Sequence, residues 1–80
     1  MTLDPSNIAQ AAQLRQAAQT LGSGISQLQE LRAQIRRQWY GPASDAFCVQ
    51  LDRLILQMQD TDHQIQTAAD ALEAVRIPPL

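Results

Sequence analysis

The chain has 80 residues, a formal net charge of -2 and 45% apolar side chains, enough for one small domain that is hard to stabilise alone. Its acidic balance, with arginine but no lysine, excludes the basic patch of a nucleic-acid binder. No stretch reaches the roughly 18 continuous apolar residues of a membrane span, and the lone Cys48 cannot close a disulfide within the chain.

Met1-Thr2-Leu3-Asp4-Pro5 carries neither the basic n-region nor the apolar h-region of a signal peptide. By itself this reads as a soluble protein made in the cytoplasm, and secretion would need a route that ignores signal peptides. Asp4-Pro5 starts a helix: Asp suits the N-cap, and Pro suits the first helical position, where its missing N–H costs nothing.

A heptad pattern follows. One row holds Ala11, Ala18, Ile25, Arg32 and Trp39; the other holds Leu14, Leu21, Leu28 and Ile35. The rows alternate by three and four residues, as a coiled-coil seam requires. Only Arg32 breaks the apolar run. Gly22-Ser23-Gly24 marks either a bend, a close approach by another helix, or a weak exposed turn, since each glycine costs about 1 kcal/mol relative to alanine inside a helix.

Gly41-Pro42 stops this helix and starts another. Ser44 and Asp45 follow, a hydroxyl and a negative charge where the new helix dipole favours them. The second arm is expected to place Phe47, Leu54, Thr61, Ala68 and Val75 in one seam row, with Leu51, Met58, Ile65 and Leu72 in the other. The boundaries expected are a helix over about 5–39, an elbow at 40–42, a helix over about 43–76 and a short Pro-containing tail. Each arm is then a rod of roughly 50 Å, and the short connection permits only antiparallel neighbours. The fold class is all-α, an antiparallel hairpin in a single domain. Two helices alone leave an apolar flank wet, so pairing into a four-helix bundle as a dimer is expected.

Charges give an independent check on register. Folding back at Gly41 brings Arg37 to Asp45, Arg32 to Asp52, Glu30 to Arg53 and Arg15 to Asp70, all of opposite sign. Exposed pairs are worth only about 0–1 kcal/mol each, so they specify alignment more than they stabilise.

Catalytic chemistry finds no foothold. His63 lies beside Asp62, but adjacent helical residues point about 100° apart and no nucleophile shares their face. Cys48 fits a small buried position near the elbow. No His, Cys and carboxylate residues fall at metal-ligand spacing, so neither enzyme activity, metal nor cofactor is expected. Arg32, Arg36 and Arg37 complement the helix dipole and pair with Asp45 and Asp52; an acidic partner or a phosphate is the other reading. Leu31, Val49, Ile55 and Leu56, with Ile8, fall outside the seam. They form a candidate partner surface of the kind that joins two hairpins. Arg32 on the seam points to a heterodimer, unless Asp52 neutralises it within its own hairpin.

The run Trp39-x-Gly41-x-Ala43-x-x-x-Phe47 between two amphipathic helices resembles the WXG family of small type VII secretion proteins, the ESAT-like proteins. Leu3-Asp4-Pro5 and the Ala/Gln/Leu-rich first helix share the resemblance. It implies a turn motif at Trp39 and Gly41 and a hairpin that pairs with itself or with a related hairpin protein. It also implies export without a cleaved signal by a membrane ATPase-driven machine, as a secreted protein or as a targeting or chaperone partner of a larger toxin with a similar helical domain. The chain departs from the family in being shorter and in lacking its C-terminal Tyr-x-x-x-Asp/Glu signal: Tyr40 is followed at that spacing by Ser44, and Phe47 by Leu51. The departure fits a chain that travels with a partner carrying the signal, or one cut short after Leu80, and favours a small partner protein over a self-exporting effector. The alternatives are a structural needle or filament subunit of an export apparatus, or a generic coiled-coil adaptor.

Overall fold

The computed structural model describes residues 5–74; the expected Asp4 cap, Val75 and the Pro-containing tail lie outside them. α1 spans Pro5–Gln38 and α2 spans Pro42–Ala74. The two helices pack side by side as an antiparallel hairpin, with Arg32 bonded to Asp52 near the elbow and Arg15 bonded to Asp70 near the open end. Among the described residues there is no strand.

The elbow is held by its own backbone chemistry. Trp39 N–H still donates to the Ile35 carbonyl at 2.8 Å, so the helical bonding of α1 persists one residue past its last helical position. Gly41 then adopts φ 116°, a left-handed conformation that side chains with a Cβ resist. A Cβ at Gly41 would meet nothing within 4 Å; the backbone angle, not space, calls for glycine. The Gly41 carbonyl accepts from Asp45 N–H at 3.0 Å and Pro42 opens α2, the position proline fills without losing a bond. Buried Ser44 donates its hydroxyl to the Trp39 carbonyl at 2.9 Å, satisfying an otherwise orphaned carbonyl at the end of α1.

That hydrogen bond also fixes which face of α2 turns inward. With Ser44 inside, helical spacing carries Cys48, Leu51 and Ile55 inward after it, and all four are buried. They meet the α1 row Ala11, Ala18 and Ile25, which is also buried. Ile25, Leu51 and Ile55 form the core cluster, with Leu21, Leu28 and Met58 packed against it. Toward the open end the buried side chains are the small Ala11, Ala18 and Ala69.

The inward face of α2 corrects one expected seam row. Phe47 and Leu54 are 42% and 44% exposed, while Ile55, assigned from sequence to a partner surface, is 6% exposed. The row that faces α1 is Cys48, Ile55, Asp62 and Ala69, one residue on from Phe47, Leu54, Thr61 and Ala68. α2 carries apolar residues over a stripe wider than one neighbour can cover. The elbow geometry turns Ser44, Cys48, Leu51 and Ile55 inward and leaves Phe47 and Leu54 on the rim.

α1 runs unbroken through Gly22-Ser23-Gly24. A Cβ at Gly22 would touch nothing within 4 Å, and one at Gly24 would meet only Met58 Cε at 3.7 Å. Neither glycine bends the helix or admits a close backbone approach within the hairpin.

Candidate pairing interface

Beside the core rows, the hairpin has two flanks. The first combines Gln10, Ala17, Gly24, Leu31 and Gln38 of α1 with Phe47, Leu54, Thr61 and Ala68 of α2. The contact between Gly24 and Met58 places these rows on the same side. Not one charged residue stands in them. Leu31 is 43% exposed, and the adjoining core-row residues Leu14, Leu21, Leu28, Ile35, Met58, Ile65 and Leu72 are all half-buried. The flank is thus an unfilled continuation of the core. At its elbow end Trp39 meets Phe47 with ring centroids 6.1 Å apart and planes tilted by 47°, a geometry that aromatic quadrupoles favour. Trp39 remains 43% exposed, so its ring caps the end of the flank instead of closing the interior. Next outward come exposed glutamines, Gln13, Gln27 and Gln34 on α1 with Gln50 and Gln57 on α2.

The opposite flank is ionic. Arg15 donates from Nε to Glu73 at 2.7 Å and from Nη2 to Asp70 at 2.6 Å. Arg32 makes a two-pronged contact with Asp52, its Nη2 at 3.0 Å from Oδ2, and Arg36 pairs with Asp45. Two of the pairs expected from sequence, Arg32–Asp52 and Arg15–Asp70, are present. Asp45 takes Arg36 in place of Arg37, one residue along, and Glu30 and Arg53 form no ion pair among the described residues. The basic side chains at the end of α1 are therefore largely spent within the hairpin. Hydrogen bonding to Glu73 and Asp70 raises the Arg15 pKa, hydrogen bonding to Asp52 raises that of Arg32, and hydrogen bonding to Asp45 raises that of Arg36. The Glu73 carboxyl is held below its ordinary range, first by its hydrogen bond from Arg15.

A notch of about 380 Å³ opens on this flank between Arg15, Ala18, Gln19, Gly22, Asp62 and Gln66. Asp62 occupies a core-row position; its Oδ2 accepts from Gln66 Nε2 at 3.2 Å, while its Oδ1 is buried with no hydrogen-bond partner. Among the described residues no group of three or more His, Cys, Asp or Glu side chains could hold a metal ion. His63 is exposed and Cys48 is a buried free thiol. Among the described residues no helix is long and apolar enough to cross a membrane.

The candidate partner residues read from sequence do not gather in one place. Leu31 lies on the uncharged flank, Ile55 is in the core, and Val49 and Leu56, 49% and 64% exposed, fall on the outer side of α2 beyond the ionic row. Phe47 and Leu54, read as part of the dimer/core seam, supply exposed apolar area on the flank. A signal for this was present in the sequence: every Asp, Glu and Arg avoids the rows around Leu31 and Leu54, whereas glutamine lines them.

Residues 1–76 match the model of a family described as WXG100, proteins of 100 residues with WXG. No curated protein and no solved structure matches the chain.

Proposed function

This chain belongs to the WXG100 family of small type VII secretion-associated proteins, and on that premise we propose that it works by pairing through its uncharged flank, not by chemistry on a substrate. The small helical proteins of this family are secreted proteins that pair with similar hairpins and with secretion machinery. Two hairpins laid flank to flank would close a four-helix bundle, with the half-buried leucines of each completing the other's core. The observation that carries this reading is the sorting of side chains. Charges are confined away from one flank, and that flank carries the exposed Phe47, Leu54 and Leu31. Patches of that kind mark interaction sites.

Within the secretion system the chain serves as a small companion of a larger exported protein that bears a similar helical domain, or is exported as a pair in its own right. Trp39 and Gly41 act first as the turn, with Trp39 held against Phe47 at the bundle end, and secondarily as a surface that the export machinery can read. The test is export of the epitope-tagged full chain from a bacterium with a type VII apparatus, with and without a functional membrane ATPase. Appearance in the medium only when the ATPase is intact is the expected result. Release that ignores the ATPase, or retention whether or not a larger helical substrate is co-produced, would overturn the role.

A further inference from the structure

On the flank opposite the uncharged rows, we propose that the notch beside Asp62 is a docking site for an arginine side chain of a partner protein. The notch holds about 380 Å³ because α1 offers little there: Ala18 is small, and a Cβ at Gly22 would meet nothing within 4 Å. Asp62 stands in the row that faces α1, between buried Ile55 and buried Ala69. Its Oδ2 accepts from the neutral amide of Gln66 at 3.2 Å, and its Oδ1 is buried with no hydrogen-bond partner. Arg15, Arg32 and Arg36 are each held by other carboxylates, and Asp62 makes no ion pair among the described residues. A carboxylate drawn into a seam without a cation gains more from an incoming one than an exposed carboxylate does.

The surroundings favour a cation as well. Among the described residues away from the elbow, 5–29 of α1 and 54–74 of α2, Asp60, Asp62, Asp70 and Glu73 stand against a single basic residue, Arg15. Arg15 lines the notch, but Glu73 and Asp70 hold its guanidinium, so its charge is already answered. A metal ion suits the place poorly, since no group of three or more His, Cys, Asp or Glu side chains gathers among the described residues. An arginine head is flat and carries donors only, and the notch offers it acceptors: the Asp62 carboxylate and the side-chain carbonyls of Gln19 and Gln66. Gln66 turns its Nε2 to Asp62, which leaves its carbonyl for another donor. The terminal torsion of an aspartate is soft and two-fold, so Asp62 can turn either oxygen to the notch. The aliphatic stem of the arginine would lie along Ala18 and Gly22, as such stems do on uncharged surface.

The experiment titrates Nα-acetyl-arginine amide into the isotopically labelled full chain and follows its backbone amide resonances. Saturable shifts at Ala18, Gly22 and Gln66 are expected, while Nα-acetyl-citrulline amide, a neutral isostere, should give none. Asp62→Asn keeps the shape and removes the charge, and should weaken binding roughly tenfold or more. Gly22→Leu fills the notch from α1 and should abolish the shifts although Asp62 remains. Circular dichroism checks that each variant is helical, and if Asp62→Asn is not, Gly22→Leu decides. An equal response to the citrulline compound overturns the proposal, as does binding that survives both substitutions. Shifts that never saturate, or that follow Asp60, Asp70 and Glu73 alike, reduce the effect to charge screening and overturn the site. A stronger saturable response to Nα-acetyl-lysine amide overturns the choice of arginine.

Discussion

On one flank of the hairpin Arg15, Arg32 and Arg36 reach across to Asp45, Asp52, Asp70 and Glu73. On the other, Leu31, Phe47 and Leu54 stand half exposed with no charge among them. Both flanks lie beside the same core rows, yet they do different work. On the ionic side the three arginines are paired within one chain, with Asp62 Oδ1 left unpartnered beside them, and because exposed ion pairs contribute little net stability, they chiefly hold register. The uncharged side is incomplete, because its half-exposed Leu31, Phe47 and Leu54 would gain further hydrophobic stabilisation if something covered them. Charge pairing within the hairpin and exposed apolar area are thus separated onto opposite faces.

The largest break in this comparison comes from the row between the flanks. Ile55→Asp places an uncompensated charge where only 6% of the side chain is exposed, a loss of about 3–5 kcal/mol. That is comparable to the whole stability of a domain this small. Circular dichroism should show loss of the cooperative melt, while the neighbouring Leu56→Asp melts as the parent does. Equal effects at the two positions would contradict the phase of α2.

A smaller effect separates the flanks through their glycines. Gly22 borders the ionic side, and its Cβ would meet open space, so Gly22→Ala should stabilise α1 by about 1 kcal/mol without altering the molar mass. Gly24 borders the uncharged side. Gly24→Ala should give a similar helical gain in the hairpin while adding a methyl to the pairing face, and a change in dimer dissociation confined to this second variant would show that the face is occupied.

The smallest effect is electrostatic. The Glu73 carboxyl is depressed in the folded chain by the Arg15 hydrogen bond. Its stabilisation is therefore fully present above the unfolded carboxylate value near 4.3 and is lost as pH falls below it through the folded value. Arg15, shifted upward, stays charged throughout. Thermal melts of Glu73→Gln should fall below the parent near pH 7 and converge with it at strongly acidic pH. A gap that persists in acid would mean the side chain acts by packing, not charge.

Much of the molecule was legible from its residues. The heptad of α1 places Ala11, Ala18 and Ile25 inside, because a long helix with one apolar stripe has one way to face a neighbour. Gly41-Pro42 marks the elbow through backbone geometry that other residues resist, and Arg32–Asp52 and Arg15–Asp70 followed from chain reversal alone. The phase of α2 was not legible in the same way. Its apolar residues fill a stripe broad enough for two neighbours, and ranking by size favours Phe47 over Cys48 while leaving Leu54 and Ile55 level. The choice falls to the Ser44 hydroxyl bonded to the Trp39 carbonyl, a contact across the elbow that heptad counting does not contain.

The sequence by itself determined two amphipathic helices, their antiparallel order and the turn between them, since periodicity, glycine and proline act through local backbone physics. It also carried the Trp39-x-Gly41 motif by which the family is known. Only the tertiary structure decided which half of the α2 stripe is core and which is left outside. A helix pair can bury one stripe per helix, and the Ser44 contact across the elbow settles which one, leaving Phe47 and Leu54 half exposed on the flank.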